Sequence, residues 1–60
     1  MNTYTVTATY YEENVSTTIS ILIKANSRND AFIIGASKIY AMFAGTTTEI
    51  AALGVNIHTE

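Results

Sequence analysis

Cysteine is absent from this chain and charge is scarce, with three Lys or Arg and five Asp or Glu among 60 residues and a net charge of −2. Without cysteine there are no disulfides or thiolate metal sites to reinforce a small core, and a zinc finger is excluded. The three cations, Lys24, Arg28 and Lys38, are dispersed. They cannot form the clustered basic footprint that holds a phosphate backbone, so direct binding of nucleic acid is not expected. Long apolar runs are missing too. The longest, Ala31 to Ala44, is about 14 residues and contains Lys38, short of the roughly 20 that cross a bilayer, so no membrane partner is expected. The start, Met1-Asn2-Thr3-Tyr4-Thr5, has neither the basic residues nor the apolar run of a signal peptide, which makes the cytoplasm the expected location.

Abundant instead are β-branched residues: ten Thr, eight Ile and three Val, or 21 of 60, within a 48% hydrophobic composition. They favour strands. A chain this short buries only about 60% of the surface that its unfolded form exposes, so residues 1–60 are read as one domain whose stability needs tight packing or self-association. From Thr3 to Tyr11 residues alternate, with Tyr4, Val6, Ala8 and Tyr10 on one side and Thr3, Thr5, Thr7 and Thr9 on the other. This is a half-buried strand. Glu12-Glu13-Asn14 reads as a hairpin turn. A second strand follows from Ser16 to Ala25, with Thr17, Ile19, Ile21, Ile23 and Ala25 on one side.

Ser27 with Asp30 three residues later forms a variant capping box, predicting a helix from Arg28 to Ala44 that Gly45 terminates. A third strand is predicted from Glu49 to Thr59, with Ala51, Leu53, Val55 and Ile57 facing inward and Gly54 as the candidate bulge. The order strand, strand, helix, strand makes an α+β fold of ββαβ type: a three-stranded antiparallel sheet in the order 2-1-3 with the helix on one face. Tyr4, Val6, Ala8, Tyr10, Ile19, Ile21, Ile23, Leu53, Val55 and Ile57 are expected to meet the helix, leaving a second face of Thr and Ser.

At 100° per residue, Ala31, Phe32, Gly35, Ile39, Met42 and Phe43 fall within an arc of about 120°, enough to cover the sheet. The far side of the helix still carries Ile33, Tyr40 and Ala44 around Ser37. Such a face is read as a partner-binding surface, and the competing reading is a tolerated apolar patch. The strand edge from Ser16 to Lys24 has one charge and no proline, which leaves it open to strand addition, and the competing reading is that strand twist and short length are protection enough. Glu12 and Glu13 are either a solubilising turn or an acidic contact for a basic partner.

Catalytic constellations are not visible. His58 stands alone near the C-terminus, the five carboxylates are scattered, and Gly35, Gly45 and Gly54 form no phosphate loop. No enzyme activity, metal or cofactor is expected.

The stretch Ile21-Leu22-Ile23-Lys24-Ala25-Asn26-Ser27-Arg28-Asn29-Asp30-Ala31 leaves a strand through Ala, reaches a capping hydroxyl and places an acidic residue before Ala. In this it resembles the small host-takeover proteins with which bacteriophages bind and block host enzymes, bacterial RNA polymerase among them. Tyr40 and Gly45 stand where an inhibitor of that group similarly has an aromatic helix end and a glycine. The resemblance implies a viral accessory protein acting by occlusion on a bacterial host enzyme, and it transfers no residue's role. The alternative reading is a structural homo-oligomer, closed through the outer helix face or the edge strand, without inhibitory activity.

Overall fold

The computed structural model describes residues 1–58, and in it the chain runs β1 (Asn2–Glu12), β2 (Val15–Ala25), α1 (Arg28–Met42) and β3 (Glu49–Ile57). The strands form one antiparallel sheet in the order β2-β1-β3, the expected α+β layout. β1 and β2 pair along their whole length, from Asn2 opposite Ala25 to Glu12 opposite Val15. The two residues left between them, Glu13 and Asn14, have φ of 51° and 67°. Positive φ at both positions is what a type I′ turn requires, and its twist matches that of the flanking strands.

Ser27 is extended, at φ −146° and ψ 163°, and its Oγ accepts a hydrogen bond of 3.1 Å from the Asp30 amide. The capping hydroxyl is therefore in place, with the Asp30 carboxylate at the positive end of the helix. α1 ends at Met42, earlier than expected. The Phe43 and Ala44 amides donate to the Tyr40 and Ala41 carbonyls in a tightened last turn. Gly45 follows at φ 79°, the left-handed conformation that lets the chain leave the helix.

The helix covers one face of the sheet. Tyr4, Val6, Ala8, Ile23, Ala25, Ala31 and Ile39 are buried, with Ile19, Ile21, Phe43, Ile50, Leu53 and Val55 packed against them. Tyr10 is half-buried, its ring centroid 4.7 Å from that of Phe43. Helix and sheet approach most closely at Gly35, where an added Cβ would lie 2.5 to 2.8 Å from the Val6 side chain. Only a residue without a side chain lets α1 sit this near β1.

Several expected core positions lie elsewhere. Met42 is 58% exposed, because the half-buried residues beside the stripe of Ala31, Gly35 and Ile39 are Phe32, Ala36 and Phe43, on the other flank of the helix. Ile57 is 57% exposed, since it closes an edge strand and has a neighbour on one flank only. The bulge is at Ala51 and not at Gly54. Thr9 faces Ala52 while Tyr10 faces Ile50, so Ala51 is the extra residue, whereas Gly54 pairs in register with Thr7. The alternation flips there, turning Ile50 toward the core and leaving Ala51 exposed. The expected continuation of β3 to Thr59 lies outside the described residues.

Across the uncovered face run Thr3, Thr5, Thr7 and Thr9, flanked on β2 by Ser16, Thr18, Ser20, Leu22 and Lys24. Their hydroxyls pair across the strands, Thr7 with Ser20 at 3.1 Å and Thr9 with Thr18 at 3.3 Å.

Candidate interaction surfaces

The helix leaves apolar surface free on the side away from the sheet. Ile33 and Tyr40 are 56% and 55% exposed, and Ser37 between them is exposed as well. Spacings of four and three residues put these three side chains on one stripe. Ala44, expected to complete it, is exposed but lies in the turn beyond the helix end.

Strands of eleven residues extend about 37 Å, whereas a helix of fifteen residues extends about 22 Å. The molecule is 37 Å long, so the hairpin projects past the helix. This overhang leaves Val15 exposed, with Glu12 and Glu13 at its tip, while Tyr11 is exposed on the uncovered face. The contact of Tyr10 with Phe43 puts the C-terminal end of α1, with Tyr40, at the hairpin end of the sheet. Ile33 lies toward the opposite end, where a depression of about 230 Å³ is lined by residues including Lys24, Ala25, Asn26, Asp30 and Ile34 as well as Ile33. The helix stripe and the acidic tip therefore meet only near Tyr40.

Both outer strands have a free edge, and the two edges differ. The His58 amide donates to the Thr3 carbonyl at 2.9 Å, which makes Thr3 and His58 a hydrogen-bonded pair. By the alternation of an antiparallel ladder, Val55 opposite Val6 is then in a non-bonded pair, and its carbonyl points outward. The Arg28 guanidinium donates to that carbonyl at 2.6 Å. With the bulge at Ala51, this bond obstructs the β3 edge. On β2 the residues flanking the two-residue turn, Glu12 and Val15, form a bonded pair, so the outward backbone groups are those of Ser16, Thr18, Ser20, Leu22 and Lys24. Eleven residues of unbulged strand without proline leave the β2 edge open, as expected.

Sequence reasoning missed the Arg28 latch, since its acceptor is a backbone carbonyl 27 residues away and no pattern marks such a bond. It also missed exposed Val15. Carrying the alternation of β2 one residue back places Val15 on the helix side, and only the overhang of the hairpin past the helix leaves it exposed.

The groups that could carry chemistry are spread out. Glu12 and Glu13 are at the hairpin tip, Asp30 begins the helix, Glu49 begins β3, and His58 follows the end of β3 beside Thr3. Among the described residues, no three His, Asp or Glu side chains converge on a point where they could hold a metal ion. No helix among these residues is long and apolar enough to cross a membrane. Comparison with known proteins gave no matching family model, no matching curated protein and no matching solved structure.

Proposed function

We propose that this is a non-enzymatic interaction protein of the bacteriophage host-takeover kind, acting in the host cytoplasm by occluding a bacterial protein that it binds. The observation that carries the reading is the stripe of Ile33, Ser37 and Tyr40 on a helix whose other side already closes the core. Aromatic and aliphatic side chains presented at helical spacing on a rigid support are what a groove on a partner receives. Glu12 and Glu13 at the hairpin tip add an acidic rim near Tyr40, suited to basic residues of the partner. The scattered carboxylates and lone His58 support a binding role over catalysis.

The test immobilises the wild-type protein and the Ile33→Glu and Tyr40→Glu variants and exposes each to bacterial lysate. Wild type is expected to retain one host enzyme and to inhibit it when purified. Either substitution should reduce retention at least tenfold with an unchanged circular dichroism spectrum. Equal retention by all three proteins, or retention without inhibition, overturns the reading.

A further inference from the structure

We infer that the open β2 edge is the site at which two copies of this chain pair, antiparallel and in one register, to form a six-stranded sheet. The midpoint of β2, Val15–Ala25, is Ser20, whose backbone groups point outward. A two-fold axis through Ser20 is therefore the arrangement that pairs all eleven residues with their counterparts, with hydrogen-bonded pairs at Ser20–Ser20, Thr18–Leu22 and Ser16–Lys24. On the helix side Ile19 meets Ile21 of the other copy, and both are only half-buried in the single chain.

Charge and shape fit the same pairing. The antiparallel arrangement brings the hairpin end of each copy, with Glu12 and Glu13, to the end of the other that carries Lys24 and the start of α1 with Asp30, while Arg28 and Glu49 lie at the far β3 side. Lys24 lies across from Ser16 and far from its own counterpart, so no like charges oppose. Val15, 61% exposed on the helix side of the overhang, comes opposite Ala25 of the other copy, beside the depression that Ile34 also lines. Each copy thus offers the projecting apolar residue that the other copy's hollow receives. The helices share one face of the joined sheet, over β1 strands three spacings or about 14 Å apart, which leaves room for both. The single chain exposes 4188 Å², against about 3,800 Å² for a monomer of its mass. Ser37 and Tyr40 lie outside the hollow whereas Ile33 lines it, so Tyr40→Glu, and not Ile33→Glu, separates this pairing from the host-protein reading.

Sedimentation equilibrium of the full chain, from low micromolar to near-millimolar concentration, is expected to show twice the 6.5 kDa monomer mass. Ser20→Lys and Ser20→Glu each place like charges at the two-fold axis and should be monomeric, and their equimolar mixture should regain the dimer. Amide hydrogen exchange on the wild type supplies a readout without substitution. The Thr18, Ser20 and Leu22 amides should slow at least tenfold as concentration rises, while those of Ile19 and Ile21 stay slow throughout. A wild type that remains monomeric, a dimer insensitive to both Ser20 variants, or exchange at Ser20 independent of concentration overturns the inference. Tyr40→Glu should leave the dimer intact, which separates this result from that of the host-protein test.

Discussion

Glu13 holds a φ of 51° in a turn position that asparagine and glycine occupy with less strain. Glutamate is there because a two-residue connection between fully paired strands imposes left-handed backbone at both positions. Replacing Glu13-Asn14 with Asn-Gly should therefore raise stability by about 1 kcal/mol. Urea titration at one fixed protein concentration checks this, as a higher midpoint with an unchanged slope. Asn14 was legible in the sequence as a turn residue. Glu13 was not, because nothing about glutamate announces positive φ until the pairing of Glu12 with Val15 is known.

At the scale of elements, α1 is placed by a glycine that propensity alone would count against it. Gly35→Ala gains nearly 1 kcal/mol of helix propensity but drives a methyl group into Val6, and overpacking costs about 1 to 3 kcal/mol. The net expectation is a loss of about 1 kcal/mol. In a Val6→Ala background the two Cγ contacts are lost but the one to the Val6 Cβ, at 2.7 Å, remains, so the same substitution should cost less than in the wild type. A four-variant thermal or urea cycle reads this coupling. The periodicity located α1 and its buried stripe of Ala31, Gly35 and Ile39 correctly, and the alternation placed β1 and β2 within one or two residues. It misplaced Met42 and Ala51 for different reasons. A helical wheel assigns angles but not the roll of the helix on the sheet, and one extra residue at Ala51 reverses every side chain before it. Of the candidate site, the exposed stripe of Ile33, Ser37 and Tyr40 and the open β2 edge were readable as surplus apolar surface and uninterrupted strand. The depression beside Ala25 was not, because it exists only where the start of α1 passes the end of β2.

The whole molecule is a thin slab, 37 by 21 by 14 Å, with a helix on one face and paired hydroxyls on the other. Thr7 with Ser20 and Thr9 with Thr18 satisfy each other, so that second face does not require a covering layer. Its two long sides are unlike. One carries unobstructed backbone groups along β2, and the other is bulged and has an outward carbonyl already bonded to Arg28.

That single bond bears on how far assembly can go. A slab that could add strands on both sides would grow without limit, copy after copy, into a filament. In the pairing inferred above, the β2 edge is used and the remaining β3 edge is bulged at Ala51 and blocked at its Val55 carbonyl by Arg28, so the assembly is expected to close at two. Arg28→Ala should release the Val55 carbonyl while leaving the β2 edge untouched. It is expected to convert a closed pair into species that lengthen with concentration, seen as rising light scattering and a thioflavin signal that wild type lacks. If Arg28→Ala stays at the wild-type mass, something other than this hydrogen bond limits growth. If the variant does lengthen, Arg28, at the first turn of the helix, is a stop on polymerisation, a role in solution that is separate from stabilising the fold.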